Sequence, residues 1–186
     1  MTGTSPLLMH NARLADPLDP IVKQLKTISG KRIKTEADHE AMAQLEFAGG
    51  LYLDDHGPVV PGVNIERSLV EGARITKSGK KIERGLFVLD TQVPLIYKGP
   101  RTAAELYEQG FVSRLSVGVT TNRVMRTRPQ FREWSLGAEA EVDEGVLNLS
   151  ELSDIADTAG RMVGIGDYRP ARGGGNGRYT TVVVVL

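Results

Sequence analysis

The sequence predicts an α+β fold, namely a ferredoxin-like antiparallel sheet with helices on one face and a protruding β-hairpin. Two observations favour this class. The last third of the chain reads as strand, capped helix, loop and strand, and extended segments before a helix near Ile65–Ile75 suggest a similar unit in the first half. With 186 residues and 40% hydrophobic content, residues 1–186 are expected to form a single domain.

The first half begins with a short strand, followed by a helical and loop insertion at about 16–50. Two prolines in "ADPLDP" disfavour a helix at its start. A helix that Gly30 should stop comes next, and Thr35 with Asp38 three residues later predicts the capped start of a second helix. Asn64 is the predicted N-cap of the third helix.

The middle of the chain contains the predicted hairpin. The segment "RITKSGKKIERG" is predicted to be a basic turn, "LFVLDTQVPLIY" alternates as strands do, and "TAAELYEQG" is a short helix closed by Gly110. The pattern of "VSRLSVGVTTNRVMRTRP" then indicates a basic β-hairpin at about 112–130.

The last third has the clearest periodicities. Alternating side chains in "WSLGAEAEV" predict a strand from Trp134 to Val142. Asn148 predicts the capped start of a helix whose apolar stripe runs from Leu149 to Met162. A glycine-rich loop follows, and the valines of "RYTTVVVV" predict the last strand.

Positive charge is concentrated in the hairpin, although the chain carries 23 Lys and Arg against 23 Asp and Glu. Residues 109–132 contain no carboxylate. Because each phosphate contact by Lys or Arg releases counterions, a basic face predicts nucleic-acid binding. Two other interpretations stay open: a basic surface for a protein partner, and a hairpin whose charges pair with "EAEVDEGV" inside the fold. The arginines of this stretch are Arg114, Arg123, Arg126, Arg128 and Arg132.

Several classes of function are disfavoured. The absence of cysteine excludes disulfides, thiol catalysis and thiolate metal sites. We expect no signal peptide at the N-terminus, and no apolar run approaches the roughly 20 residues that span a bilayer, so a cytoplasmic protein without a membrane partner is expected. No serine lies in a nucleophile elbow, and we assign neither catalysis nor a cofactor.

The closing stretch "GIGDYRPARGGGNGRY" is not a nucleotide-binding motif. It lacks the Lys and Ser or Thr of a P-loop, and it does not precede a helix as a dinucleotide fingerprint does. It is either a flexible connector or a loop whose arginines Arg169, Arg172 and Arg178 contact phosphates. Before it, core packing is expected for Trp134, and base stacking is an option for Phe131.

Aspartates in two predicted turns offer a different chemistry, a metal site. Asp16, Asp19, Asp54 and Asp55, with His56, supply ligands that Mg²⁺ or Mn²⁺ accepts. The same residue types are ordinary turn formers, so we assign no metal site.

Three stretches resemble the RAMP superfamily, the RRM-like proteins that include the repeating backbone subunits of CRISPR effector complexes. "GPVVPGVNIERSLVEGARI" resembles the Pro-Gly turn that opens the family's first helix, and "TRPQFREWSLGAEAEV" resembles the arginine-proline entry to the strand before its second helix. "LSELSDIADTAGRMVGIGDYRPARGGGNGRYTTVVV" resembles its closing helix, loop and strand. Together they cover about half of the chain, which also looks like small proteins of phages and prophages.

The resemblance implies an RRM-like core, a hairpin "thumb", helical stacking of copies and single-stranded RNA held along the filament. We place the thumb on the hairpin that carries Arg114 and Arg123. The chain departs from the family after the Pro-Gly turn, where the family often has a lysine and this chain has Glu66, whose charge repels a phosphate. Some members cleave RNA with a loop aspartate, a role that Asp16 or Asp19 would take.

The sequence therefore predicts a protein that binds single-stranded nucleic acid, with RNA favoured over DNA, and that assembles with copies of itself or with CRISPR-type or phage proteins. Two alternatives are a phage structural or host-defence-inhibiting protein that contacts protein partners, and metal-dependent RNA cleavage. The cations predicted to follow the nucleic-acid backbone are Lys77, Lys80, Lys81, Arg123, Arg126, Arg128, Arg172 and Arg178.

Overall fold

The computed structural model describes residues 1–119 and 122–185 and confirms the α+β class. This part of the chain forms six α-helices and several small antiparallel sheets, and the ferredoxin-like arrangement stays a prediction. The helices are α1 (Pro20–Ser29), α2 (Glu36–Gly50), α3 (Gly62–Ile75), α4 (Gly79–Gly85), α5 (Ala103–Glu108) and α6 (Leu149–Thr158). The strands are β1 (Thr2–Gly3), β2 (Leu7–Leu8), β3 (Leu53–Asp54), β4 (Gly57–Pro61), β5 (Leu86–Val88), β6 (Gln92–Pro94), β7 (Val112–Val119), β8 (Asn122–Phe131), β9 (Ala140–Val142) and β10 (Tyr179–Thr180).

The chain divides into two compact units. The segments that the sequence analysis separates from the rest, 16–50 and 112–130, both lie in unit 2. The prediction of a single domain stays a prediction, because compactness does not measure whether two units unfold together. Unit 1 consists of Met1–Leu7, Gly57–Lys98 and Phe131–Leu186, and unit 2 consists of Leu8–His56 and Gly99–Gln130.

The core of unit 1 lies where α3 packs against α6 and the turn that follows it. Gly72 of α3 faces Ala159, and a side chain at Gly72 would collide with that residue, so glycine permits the close approach. Ser68 Oγ donates to the Gly164 carbonyl at 3.0 Å and lies 2.8 Å from the Tyr179 hydroxyl. Burial raises the pKa of Tyr179 to about 12. Antiparallel ladders β1–β10, β4–β6 and β5–β9 surround this core.

Unit 2 packs α1, α2 and α5 with the hairpin of β7 and β8. The ring of Phe47 on α2 meets that of Tyr107 on α5 edge-on, with centroids 5.2 Å apart. β7 pairs with β8 in antiparallel register from Val112 opposite Pro129 to Val119 opposite Asn122. The predicted hairpin is therefore confirmed, and the residues of its turn, 120 and 121, lie outside the described part of the chain.

The predicted helix boundaries hold where capping chemistry defines them. Thr35 and Asp38 form the capping box at the start of α2, and Gly30 follows the end of α1. Asn148 Oδ1 accepts from the Glu151 amide at 2.9 Å, which caps α6. Polar residues occupy part of every helix, and no helix of residues 1–119 and 122–185 is long and apolar enough to cross a membrane.

The prediction that Asn64 caps the third helix is wrong, because α3 begins two residues earlier, at Gly62. The Gly62 amide donates to the Thr91 carbonyl at 3.0 Å, and a side chain there would collide with the Asp90 carbonyl oxygen. Glycine is therefore required at the point where the helix starts. The predicted basic turn after α3 is also wrong in part, since it forms the short helix α4.

The predicted strand from Trp134 to Val142 is wrong over most of its length. Trp134 and Leu136 are buried, but Ala138 is exposed, and only β9 forms a ladder there. Ser135 instead bonds to Ile96 through an isolated bridge. The two ends of the apolar stripe predicted from Leu149 to Met162 are also exposed, and Met162 lies beyond the end of α6 at Thr158.

The valine-rich strand predicted at the end of the chain is shorter than expected. Only β10 pairs, and it pairs with β1. Residues 181–185 continue beyond it without a ladder among the described residues, and Leu186 lies outside them. High strand propensity is realised only where a neighbouring edge is available.

Candidate nucleic-acid interface

The eight predicted cations fall in both units. Unit 2 holds the three hairpin arginines of the set, and unit 1 holds the remaining five. Neither unit is strongly basic as a whole, because unit 1 carries 12 Lys and Arg against 13 Asp and Glu and unit 2 carries 11 against 10. Any nucleic-acid contact must therefore come from local groups of cations that lack a carboxylate partner.

The hairpin register divides the arginines between its two faces. Residues directly opposite each other share a face, so Arg123, opposite Gly118, lies on the same face as Arg114. Arg126 and Arg128, opposite Leu115 and Ser113, lie on the other. The predicted single basic surface of the hairpin is therefore wrong, because residues an odd number apart in a strand point in opposite directions.

Glu46 of α2 pairs with the arginines of the second face. Its carboxylate accepts from Arg126 Nη1 at 2.9 Å and from the Thr127 amide at 2.8 Å, and it lies 4.0 Å from Arg128 Nη1. The side chains of Glu46 and Arg128 are each only 13% exposed. Arg126 and Arg128 are thus held in the fold by an acid 80 residues back in the sequence.

Glu40 of α2 neutralises the first face near its base. The Tyr107 hydroxyl donates to Glu40 at 2.6 Å, and Arg114 donates to both the hydroxyl, at 2.7 Å, and Glu40, at 3.0 Å. The hydrogen bond from Tyr107, followed by that from Arg114, lowers the pKa of Glu40. Burial and the neighbouring Glu40 raise the pKa of Tyr107.

In the outer part of the hairpin, Arg123 is paired with neither Glu40 nor Glu46. The Arg123 guanidinium donates to the Ser116 hydroxyl and carbonyl, both at 3.0 Å. On the same face, Met125 is 62% exposed, whereas Leu115, which is opposite Arg126, is 38% exposed on the other face. This end of the hairpin therefore presents one exposed arginine and apolar side chains, without a carboxylate partner for Arg123 among the described residues.

The turn between α3 and α4, with α4 itself, forms a second basic surface, which we call the α3–α4 corner (residues 74–85). The Ser78 amide bonds to the Ala73 carbonyl and the Lys77 amide to the Arg74 carbonyl, which is the Schellman motif. Lys77 has φ of +63°, at the position where glycine is usual. Lys77 therefore adopts the left-handed conformation, which is unfavourable by about 1 kcal/mol or more for any residue that has a side chain.

Cations at the α3–α4 corner have few acidic partners. Arg74 pairs with Glu83 at 2.6 Å, and Lys81 pairs with Glu151 at 2.9 Å. The remaining cations are exposed and have no ion pair with any residue of 1–119 or 122–185. Those cations are Lys77, Lys80 and Arg84.

The amides of the glycine-rich loop are not arranged as a phosphate cradle, and the loop is folded on itself rather than extended as a loose connector. Most of its amides are used internally: Gly173 bonds to Pro170, Gly174 to Arg169 and Asn176 to Tyr168. Side chains at some of its glycines would collide with carbonyl oxygens of the same loop, as at Gly174. A cradle needs free amides aimed at one point, and here carbonyls occupy them.

Three arginines of this loop have different surroundings. Arg169 binds Glu71 of α3 at 3.2 Å and is therefore part of the fold. The side chains of Arg172 and Arg178 are exposed and have no carboxylate partner in the described part of the chain. The two predicted loop cations are thus accessible, whereas their neighbour Arg169 is not.

The predicted alternative chemistries find little support in the side-chain geometry. Asp19 caps α1, accepting from the Ile21 amide at 2.8 Å, and pairs with Arg13 at 2.7 Å. Asp16 accepts from the Leu18 amide in a turn. No group of three or more His, Asp or Glu residues within 1–119 and 122–185 is arranged to hold a metal ion.

The prediction that Phe131 could stack on a base is wrong. Phe131 is fully buried, with its ring packed edge-on against Tyr97 at 4.9 Å between centroids. Phe87 is the residue that sequence reasoning missed: it is 55% exposed, three positions after Arg84. Neighbouring residues of a strand point to opposite faces, so a buried Leu86 implies an exposed Phe87. The exposed ring could therefore have been predicted from the alternation in the sequence.

No protein-family model, curated protein sequence or solved structure matches this chain. The resemblance to the RAMP superfamily therefore rests on the three sequence stretches alone. The candidate interface has to be argued from its own geometry, which favours the α3–α4 corner over the hairpin.

Proposed function

We propose that this protein binds single-stranded nucleic acid, RNA in preference to DNA, through electrostatic contacts with the phosphate backbone, and that it assembles with copies of itself. The proposal includes a RAMP-like identity with a ferredoxin-like, RRM-like core. It also includes a cytoplasmic location in a bacterial or phage-infected cell, with CRISPR-type or phage proteins as further partners. We assign no catalytic step.

The observation that carries the proposal is the group of exposed cations at the α3–α4 corner. Lys77, Lys80 and Arg84 lack carboxylate partners within the described residues, so binding a phosphate there breaks no ion pair and releases counterions. Lys80 and Arg84 are four residues apart in α4 and therefore share one face. Exposed Phe87, three residues after Arg84 and opposite Glu141 in the β5–β9 ladder, supplies a ring on which a base can stack.

The conformation of Lys77 adds a second line of support. A residue kept in the left-handed region, where glycine is less strained, is more often found where its side chain has a role. Contact between the Lys77 amine and a phosphate would be such a role. In the hairpin, by contrast, Arg126 and Arg128 would have to leave Glu46 before they could bind a backbone.

The test is an anisotropy titration of a fluorescent single-stranded RNA, and of the matching DNA, at several salt concentrations. The double variant Lys77→Ala/Lys80→Ala should weaken binding and reduce the slope of log affinity against log salt by about 1.4, since each single-strand contact adds about 0.7. The matched control is Lys23→Ala/Lys26→Ala on α1. It removes two exposed lysines at the same spacing and should leave the slope unchanged.

Two results would overturn the proposal. One is the absence of binding to either oligonucleotide at about 50 mM salt, where phosphate contacts are strong. The other is an equal loss of affinity in the α3–α4 corner variant and the α1 control, since this would mean that the α3–α4 corner has no special part in binding.

A second candidate function is contact with protein, as in a phage structural or host-defence-inhibiting protein. The observation that favours it is the outer hairpin, where Met125 is exposed on the face of Arg123 and Leu115 is exposed on the other face. An apolar and basic strand pair suits a protein surface with acidic groups. The ratio of ultraviolet absorbance at the nucleic-acid and protein bands, measured on purified material, separates the two functions, because a protein partner leaves that ratio at its protein value.

A further inference from the structure

Unit 1 contains an aliphatic cleft of about 470 Å³. α3, α6, β5 and β9 each contribute aliphatic side chains to its wall. Two of the side chains at this cleft, Leu89 and Leu149, are 53% and 39% exposed. Apolar surface of this kind, contiguous and open to solvent, is typical of an interaction site rather than of an isolated exposed residue.

The segment that follows β10, Thr181–Val185, lines the same cleft. Val182, Val184 and Val185 are 82%, 69% and 73% exposed. No backbone hydrogen bond joins 181–185 to any residue within 1–119 and 122–185, although valine and threonine are among the strongest strand formers. Thr181 Oγ1 is buried and likewise has no partner among the described residues. This segment has strand composition and lacks a strand neighbour.

We propose that Thr181–Val185 pairs antiparallel with the same segment of a second copy of this chain, and that the valines of each copy cover the aliphatic cleft of the other. The inference rests on the self-assembly part of the proposed function and not on nucleic-acid binding. All residues involved belong to unit 1.

The choice of a second copy as the partner follows from the arrangement of the surface. Each copy offers protruding valines and, beside them, an aliphatic cleft that lacks a cover. When two copies are related by a two-fold axis, the valines of each can cover the cleft of the other. Such an isologous contact is the one that most dimers form. The paired backbones meanwhile supply each other with the hydrogen bonds that the segment lacks. A plain run of valines also carries no charge pattern that would select a different protein.

The charges around the cleft give the contact a salt dependence opposite to that of nucleic-acid binding. Glu139, Glu144 and the N-terminal residue Met1 line the cleft, so two carboxylates outweigh one ammonium group, and the valine segment itself is uncharged. A two-fold contact brings carboxylates of both copies towards each other, so added salt screens their repulsion. Dimerisation should therefore persist or strengthen between about 50 mM and 500 mM salt, the range over which phosphate contacts weaken.

The first experiment measures association by sedimentation of the full chain without nucleic acid. Val182→Ser/Val184→Ser should raise the dimer dissociation constant by at least about tenfold, because two apolar side chains lose their cover. Both positions are exposed in the single chain, so the variant should fold normally. Val63→Ser, at a 53% exposed valine of α3 outside the cleft lining, is the matched control and should leave association unchanged.

The second experiment uses the absence of cysteine from the chain. Val182→Cys, Val183→Cys and Val184→Cys are oxidised mildly, one variant at a time. In an antiparallel self-pairing, the residue nearest the two-fold axis meets its own copy, so one of the three should form a disulfide-linked dimer much faster than the other two and than a Val63→Cys control.

Three results would overturn the inference: a chain that stays monomeric at about 100 μM, where even weak specific dimers form; a Val182→Ser/Val184→Ser variant that associates as tightly as the parent; or equal cross-linking at all four cysteine positions. The proposed nucleic-acid function fails separately, since Lys77→Ala/Lys80→Ala should weaken RNA binding while leaving dimerisation intact.

Discussion

Two basic regions of this protein have opposite electrostatic surroundings. In the hairpin, Arg114, Arg126 and Arg128 contact Glu40 or Glu46 of α2, and Arg128 is nearly buried. At the α3–α4 corner, Lys77 and Lys80 are exposed without any carboxylate partner in the described part of the chain. The hairpin arginines therefore stabilise the fold of unit 2, whereas Lys77 and Lys80 can bind an external anion without breaking an ion pair.

The difference predicts how each region responds when an acid is removed. A partly buried ion pair that loses one partner leaves a desolvated charge, and this costs far more than the loss of an exposed pair. Stability should therefore depend on the acids near the hairpin, and ligand binding on the cations of the corner. The following variants test this division, beginning with the largest expected effect.

Glu46→Gln should destabilise the protein by about 2 kcal/mol, because it removes a nearly buried carboxylate from beside Arg126 and Arg128, while Gln can still accept from the Thr127 amide. The matched change at the corner is Glu83→Gln, which removes the exposed partner of Arg74 and should cost no more than about 0.5 kcal/mol. Chemical denaturation measures both free energies of unfolding. Equal costs would contradict the assignment of a structural role to the hairpin arginines.

Lys77→Gly should stabilise the protein by about 0.5 to 1 kcal/mol, because glycine relieves the left-handed conformation at the end of α3. Lys80→Gly should have the opposite sign and cost about 0.5 to 1 kcal/mol, since Lys80 lies inside α4. Each variant removes one cation of the corner, so each should weaken RNA binding in the titration described above. A loss of binding in the more stable variant could not be attributed to unfolding.

The sequence predicts local structure well wherever one side chain determines it. Thr35 and Asn148 act on amides three residues away, so the starts of α2 and α6 are readable from the residue types alone. The start of α3 cannot be predicted in this way. Glycine is needed at position 62 because the Asp90 carbonyl lies against it, and this contact exists only in the folded chain. The valines at 181–185 likewise have strand propensity but no edge to pair with in their own unit.

The candidate site shows the same limit for charge. A stretch without carboxylates, 109–132, suggests a free basic surface, but the acids that neutralise it come from α2, 70 to 80 residues earlier in the chain. The α3–α4 corner includes Glu83, yet that acid binds Arg74 and not Lys77 or Lys80. Ion pairing depends on distance in space, so net charge along a sequence window is a poor measure of a binding surface.

The smallest expected effect concerns acid dependence at the base of the hairpin. The pKa of Glu40 lies below its usual value of 4.5, chiefly because of the Tyr107 hydrogen bond, so the interaction stabilises the fold above about pH 4.5 and is lost as the pH falls through the lowered pKa. Tyr107→Phe should move the pKa of Glu40 upward, measured by NMR titration of the carboxyl carbon, and make the fall of stability below pH 4.5 shallower. Tyr52→Phe, which removes a hydroxyl that donates to the His10 carbonyl at 3.5 Å, is the control and should leave the Glu40 titration unchanged. A Glu40 pKa that does not respond to the loss of the Tyr107 hydroxyl would mean that Arg114 alone holds this carboxylate, and Arg114→Gln should then produce the full upward shift.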